Sequence, residues 1–175
     1  RSSELISRTL GLTPPPAMTL SQVEHQLAMG ELDEVLEEIK KCHVTLKGPT
    51  HTPERGNGWP NIESANVSMR KELDLFANVR PVRIPTANID WPFYRENTED
   101  LYCGMGGFLK KGTADEVATQ LATYTRKGCE RCIRWAFEYT RKRNNPQGKM
   151  LTLVAKTNVL TFGHDLWWRT FQEVA

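Results

Sequence analysis

Two short apolar segments, each associated with an arginine, constrain the fold of this 175-residue chain more than any other feature. The first spans residues 76–84 and contains Arg80, and the second spans 89–94 and is followed at once by Arg95. Their length and apolar content predict two β-strands. Because a guanidinium is costly to bury without an anion, we expect these strands to present both arginines to an anionic ligand. Helical patterns alternate with strand patterns along the chain, which predicts an α/β fold.

The other elements follow from apolar periodicity, cap residues and turn residues. We expect helices at 21–41, 64–75 and 113–143, strands at 42–47, 78–84, 91–96 and 149–157, and a final helix with Trp167, Trp168 and Phe171. Stretches rich in Gly, Pro and Asn predict loops at 48–60 and 144–148.

A second group of polar residues precedes the first strand. Ser64 is suited to cap a helix, and Asn66 lies in the first turn of that helix. Arg70 follows Asn66 by four residues, so both project from one helix face. A helix N-terminus favours carboxylates, and guanidinium groups bind them through two hydrogen bonds. With Arg80 and Arg95 this group predicts a site for a di- or tricarboxylate, and a solvated surface is the alternative.

Composition excludes several classes of function. A net charge of +2, with 25% charged and 39% hydrophobic residues, gives no general case for nucleic acid or membrane as a partner. The basic residues at 126–143 alternate with aromatic ones as on a solvated helix face. No apolar run reaches transmembrane length, so we expect a cytoplasmic protein, with the mitochondrial matrix as the alternative.

The cysteines and histidines offer little for metal chemistry. Cys129 and Cys132 form a CxxC pair, which is compatible with a redox pair, half a zinc site or two core thiols. Helical periodicity around them favours core thiols on one helix face. The four histidines show no ligand spacing, so we expect no metal ligands within this chain.

The motifs around the arginines resemble those of the β-decarboxylating dehydrogenases, and within them isocitrate dehydrogenase. The resembling segments are Ser64-x-Asn66-x-x-x-Arg70, Leu73 to Val82, Arg95 to Tyr102, Lys47 to Pro53 and Thr152 to Asn158. The resemblance covers the chain from about Glu34 onward. It implies the fold of that family, with residues 1–75 as part of the large domain and 76–175 as the small domain, including a dimer arm near 100–128.

The resemblance also implies a role for each matching residue. Isocitrate would be bound by Ser64, Asn66, Arg70, Arg80 and Arg95. Tyr102 would be the general acid, and Lys156 would transfer protons in the active site of the partner in a homodimer. Lys47 and Thr52 would lie near the nicotinamide of NAD or NADP, and Asn158 would approach it from across the dimer. A Mg²⁺ or Mn²⁺ ion would act as Lewis acid, with its ligands outside this chain.

The segments that hold metal and adenosine in this family have no match here. We therefore expect a partial chain that is inactive alone. Polar Ser64 and Asn66 favour isocitrate over isopropylmalate, because an alkyl group would leave them unpaired. The alternatives are a non-catalytic or regulatory subunit, and a sibling dehydrogenase for homoisocitrate, tartrate or isopropylmalate.

Overall fold

The computed structural model describes residues 32–48, 65–143 and 149–175. Two compact units make up the chain, Arg1–Leu73 and Asp74–Ala175. The predicted helix and loop residues at 21–31, 49–64 and 144–148 lie outside the described residues.

The described part of the first unit contains two helices that contact each other, α1 (Leu32–Lys40) and α2 (Ala65–Glu72). Leu36 of α1 and Met69 of α2 are buried, at 3% and 8% exposure. The expected helix at 64–75 is confirmed as α2, which ends three residues earlier than expected.

The second unit begins with an antiparallel hairpin of β1 (Ala77–Ile84) and β2 (Ile89–Glu96), as predicted. A 3₁₀ turn, Pro85–Ala87, connects the strands, and Asn88 closes it with φ +52°. Asparagine tolerates this left-handed conformation better than most residues, which explains its place here.

Two helices follow, α3 (Arg126–Lys142) and α4 (Gly163–Val174). α3 packs against β2 of this hairpin, and α4 packs against α3. Tyr94 of β2 forms edge contacts with two rings of α3, Trp135 at 5.7 Å and Tyr139 at 5.6 Å between centroids. The buried residues of the two helices are Gly128, Cys129, Cys132, Ile133, Ala136 and Thr170. One sheet face is therefore covered by α3.

Arg131 of α3 joins three parts of the second unit. Its guanidinium donates to Asp74 Oδ2 at 2.7 Å and to Thr98 Oγ1 at 3.0 Å. The same group lies 4.8 Å from the ring centroid of Phe76. One side chain thus connects the start of the unit, the turn after β2 and the long helix.

The helix expected over 113–143 is wrong in its first part. Residues Val117–Gln120 form strand β4, which pairs with β3 (Gly106–Leu109) in a second antiparallel hairpin. A Cβ at Gly106 would collide with the carbonyl oxygen of Thr119, so glycine permits this pairing. The helix begins at 126, where Thr125 caps it by accepting from the Gly128 N–H at 2.9 Å.

Two predicted strands, 42–47 and 149–157, are also wrong. Within the described residues neither segment has a paired strand, and backbone hydrogen bonds to a partner are what stabilise a strand. Val44 and Val154 are 86% and 81% exposed. Residues 150–154 line, with β2, α3 and α4, an apolar cavity of about 600 Å³.

Candidate functional site

Arg80 and Arg95 lie on the same face of the first hairpin. The register places Asn78 opposite Arg95 and Phe93 opposite Arg80. Side chains two apart on a strand share a face, and diagonal neighbours on an antiparallel pair lie about 7–8 Å apart. The two guanidinium groups are therefore set on one side of the sheet, opposite the face that carries Tyr94 and packs against α3.

A pair of asparagines holds Arg80 in place. The Asn78 side-chain oxygen accepts from Arg80 Nε at 3.3 Å, and its amide donates to Asn97 Oδ1 at 3.1 Å. Asn97 is buried, with 7% exposure, and donates to the Leu75 carbonyl at 3.0 Å. Sequence reasoning did not single out either asparagine. Each lies two positions from an arginine, Asn78 from Arg80 and Asn97 from Arg95, and residues two apart on a strand share a face. That spacing could have identified them.

Arg95 and Tyr102 are brought together. The Arg95 guanidinium carbon lies 5.1 Å from the centroid of the Tyr102 ring, within the range of a cation–π contact. Tyr102 lies on a 3₁₀ turn, Leu101–Cys103, and is 41% exposed. A guanidinium group and a phenol therefore share one surface.

The acidic residues between these two positions shape the turn. Glu96 accepts hydrogen bonds from the Thr98 N–H, the Thr98 hydroxyl and the Glu99 N–H. Glu99 accepts from the Thr125 N–H at 2.9 Å and from the Thr125 hydroxyl. The segment after Arg95 is thereby attached to the start of α3.

The residues expected on the substrate-binding helix belong to the first unit. Asn66 and Arg70 lie in α2 four residues apart, and both are half-buried. Ser64 lies outside the described residues. The convergence of this group with Arg80 and Arg95 on one ligand stays a prediction.

Lys156 and Asn158 lie in a turn that leads into α4, and both are exposed. The Lys156 N–H donates to Nδ1 of His164 at 2.8 Å. Lys47, in the first unit, is exposed and donates to the Gly48 carbonyl, while Thr52 lies outside the described residues. The cofactor-binding roles of Lys47, Thr52 and Asn158 stay predictions.

The described residues do not fit a metal site. Within 32–48, 65–143 and 149–175 no group of three His, Cys, Asp or Glu side chains could hold a metal ion. Asp165 forms an ion pair with Arg169 at 2.8 Å, one turn along α4.

The prediction of two core thiols is confirmed. Cys129 and Cys132 are free and buried, at 2% and 1% exposure. Burial, assisted by nearby carboxylates, raises the pKa of Cys129 to about 11 and that of Cys132 to about 12. Such thiols are poor nucleophiles at neutral pH.

Three arginines of α3 and Arg143, directly after its end, have acidic partners. Their pairs are Arg126 with Glu173, Arg131 with Asp74, Arg134 with Glu130 and Arg143 with Asp90. The Arg126 and Arg134 side chains are exposed, as a solvated helix face requires, whereas those of Arg131 and Arg143 are only 24% and 22% exposed. No helix in the described part of the chain is long and apolar enough to cross a membrane.

Comparison with known proteins identifies the class. The sequence model of the isocitrate/isopropylmalate dehydrogenases matches residues 24–175. The 3-isopropylmalate dehydrogenase of Mycobacterium ulcerans is 39% identical over 161 residues, covering 84% of this chain and 46% of that protein. The corresponding enzyme of Corynebacterium diphtheriae is 45% identical over 162 residues, covering 85% and 46%.

Solved structures agree. Isocitrate dehydrogenase from Methylococcus capsulatus is 30% identical with a TM-score of 0.66, covering 98% of this chain and 45% of that one. The TT0538 protein from Thermus thermophilus is 37% identical with the same TM-score, 0.66, covering 81% and 28%. The chain therefore belongs to the isocitrate/isopropylmalate dehydrogenase family, a family of decarboxylating oxidoreductases. It spans about half the length of the curated relatives it matches.

Proposed function

We propose that this chain supplies substrate-binding and proton-transfer residues to an enzyme that oxidises and decarboxylates isocitrate with NAD or NADP. The observation that carries the proposal is the sheet face on which Arg80 and Arg95 lie together, with Tyr102 against Arg95. Two fixed guanidinium groups on one surface suit the carboxylates of a polycarboxylic acid. In the same proposal Ser64, Asn66 and Arg70 bind the remaining carboxylate.

The residue types suit the reaction. The C2 hydroxyl must lose a proton when C2 is oxidised, and the resulting β-keto acid must release carbon dioxide; NAD or NADP, when bound, would supply the hydride acceptor. The enolate that remains must take up a proton at C3. In this proposal Lys156 relays the hydroxyl proton, and Tyr102 donates its phenolic proton to C3. The Arg95 guanidinium carbon lies 5.1 Å from the centroid of the Tyr102 ring, so in this proposal both groups approach the same substrate.

Isopropylmalate is the second candidate substrate. The names of the curated relatives favour it, since the matches at 39–45% identity are 3-isopropylmalate dehydrogenases. The polar side chains of Ser64 and Asn66 favour isocitrate, because an alkyl substituent would desolvate them without providing a hydrogen-bond partner. The two candidate substrates therefore differ in the group that each would present to Ser64 and Asn66.

We also propose a homodimer. The β3–β4 hairpin exposes Phe108, Leu109 and Val117 at 55%, 65% and 50%. A two-stranded hairpin is marginally stable by itself, so a second copy of this hairpin is a suitable partner. In such a dimer Lys156 and Asn158 would reach the partner's site. A regulatory subunit would need the same anion site but no proton-transfer groups.

The test compares two arginines of one strand. Arg80→Met removes a guanidinium from the proposed site, whereas Arg83→Met removes one from the opposite face of β1. Losing a guanidinium that binds a substrate carboxylate through charged hydrogen bonds costs several kcal/mol, so we expect kcat/KM for isocitrate to fall about 100- to 10,000-fold in Arg80→Met. Arg83→Met should retain nearly full activity. Equal activities of the two variants would refute the proposed site.

Substrate choice is tested at Asn66. Assays of the unmodified enzyme with isocitrate and 3-isopropylmalate first establish the preference. Asn66→Leu should then lower kcat/KM for isocitrate and raise the relative rate with 3-isopropylmalate. A preference for 3-isopropylmalate in the unmodified enzyme would replace isocitrate by the second candidate.

A further inference from the structure

The backbone of Lys156 is held by a histidine at the start of α4. The Lys156 N–H donates to His164 Nδ1 at 2.8 Å. The Lys156 carbonyl accepts from the N–H groups of Val159 and Leu160 at 3.2 and 2.9 Å. Both backbone polar groups of this lysine thus have partners, and one partner is an imidazole ring.

The imidazole is itself fixed by Tyr124. The two rings meet edge to face with centroids 5.8 Å apart and an interplanar angle of 79°. Gly163 permits this approach, because a Cβ there would collide with the Tyr124 ring. The Tyr124 hydroxyl donates to Asp100 Oδ1 at 2.9 Å. Burial and this hydrogen bond to Asp100 raise the pKa of Tyr124 to about 12, so the hydroxyl stays a donor at neutral pH.

Asp100 connects the tyrosine to the turn that carries Tyr102. Its N–H donates to the Thr123 carbonyl at 2.9 Å, and its carbonyl accepts from the Thr123 N–H at 3.3 Å. Asp100 directly precedes the 3₁₀ turn Leu101–Cys103. A continuous series of contacts therefore runs from the loop of Lys156 through His164, Tyr124 and Asp100 to Tyr102.

We propose that His164 is a positioning residue, which fixes the Lys156 backbone and, through Tyr124, couples it to the Tyr102 turn. This inference rests on the proton-transfer roles proposed above for Lys156 and Tyr102. His164 acts as the neutral tautomer with its proton on Nε2, because Nδ1 must be unprotonated to accept a hydrogen bond. Its loss should slow the chemical step more than it weakens substrate binding, since it lies against the lysine and not in the proposed arginine site.

The first experiment measures kcat and KM for isocitrate in three variants of the enzyme that contains this chain. His164→Ala removes the acceptor, and a displaced catalytic group can cost up to about 100-fold in rate, so we expect kcat to fall about 10- to 100-fold with KM nearly unchanged. His164→Asn places an amide oxygen near the position of Nδ1 and should restore most of kcat. Arg169→Ala removes an exposed ion pair of the same helix and should leave kcat unchanged.

A second measurement is independent of turnover. In ¹⁵N–¹H correlation spectra the Lys156 amide should shift upfield in His164→Ala and return toward its original position in His164→Asn. An unchanged amide resonance in His164→Ala, or equal losses of kcat in the Ala and Asn variants, would overturn the proposal. If Lys156→Met kept full turnover while His164→Ala still shifted the Lys156 amide, the hydrogen bond would stand. The catalytic role of Lys156, on which this inference rests, would instead be refuted.

Discussion

Gly128 offers a sharp test of how the segment after Arg95 is attached to α3. A glycine near the start of a helix costs about 0.5–1 kcal/mol relative to alanine, so Gly128→Ala is expected to stabilise an isolated helix. Here a Cβ at this position would lie 2.5 Å from the Glu99 carboxylate. That carboxylate would have to move away, although two hydrogen bonds from Thr125 hold it.

The net change in stability caused by Gly128→Ala can be estimated from these contacts. Hydrogen bonds to a charged group contribute about 1.5–3 kcal/mol each, and the exposure of Thr125 places these two at the lower end. Their joint loss of about 3 kcal/mol outweighs the gain of about 0.5–1 kcal/mol in helix propensity, so Gly128→Ala should destabilise the protein by about 2–2.5 kcal/mol. For a protein of this size the change corresponds to a fall in Tm of roughly 4–10 °C.

The control for this prediction is the same substitution without the carboxylate. In a Glu99→Ala background the steric conflict is absent, so Gly128→Ala should stabilise by about 0.5–1 kcal/mol. Thermal or urea unfolding of the four proteins in this double-mutant cycle gives the coupling between the two positions. A stabilising Gly128→Ala in the unmodified protein, or equal effects in both backgrounds, would refute the reasoning.

Two further predictions concern stability. Asn97→Ala leaves the Leu75 carbonyl and the Asn78 amide without their partner, so the free energy of unfolding in urea should fall by about 2–4 kcal/mol. As a control, Gln120→Ala removes an exposed hydrogen bond to the Leu101 carbonyl and should change the free energy of unfolding by about 0.5 kcal/mol or less. A large effect of Gln120→Ala alone would contradict this ranking. The free energy of unfolding should also fall as pH rises from about 9 toward 11–12. The raised pKa values of Cys129 and Cys132 keep these thiols protonated in the folded state, whereas in the unfolded chain the same thiols ionise near their ordinary pKa of 9.0. Melting curves between pH 8 and 11 test this, and a Cys132→Ala variant with the same slope would argue against it.

A last chemical prediction concerns thiol reactivity. A hydrogen bond with Thr123 lowers the pKa of the Cys103 thiol, so at pH 8 Cys103 should react with an aromatic disulfide reagent before Cys129 and Cys132 do. Mass spectrometry of tryptic peptides over time checks the order. Early labelling of the two buried cysteines in the folded protein would contradict it.

Local patterns were sufficient for some elements of this fold. The β1–β2 hairpin was predicted within two residues at each end, because both strands are short, rich in β-formers and separated by a Pro-containing turn. The strands expected at 42–47 and 149–157 failed, since a strand depends on a partner and local sequence does not report one. Apolar periodicity predicts helix for the residues of β4, because periodicity alone does not distinguish a short strand from a short helical segment.

In the candidate site, too, local sequence patterns predict some features and not others. The shared face of Arg80 and Arg95 follows from strand periodicity once the register is known. Local patterns do not predict the contact of Arg95 with Tyr102, because a turn between the two residues sets their distance; the resemblance only assigned both to one active site. The contact between Tyr124 and His164 joins residues 40 positions apart, and no local pattern predicts such a meeting.

The three attachments of Arg131 have a consequence for the order in which this unit assembles. The β1–β2 hairpin closes over a short turn, whereas the Arg131 contacts with Thr98 and Asp74 span 33 and 57 positions of the chain. Closing long loops costs more entropy and slows folding, so we expect the hairpin to form early and the docking of the long helix to limit the rate. Substituting Arg131 should therefore slow refolding if docking is the transition state, and should mainly speed unfolding if docking follows it.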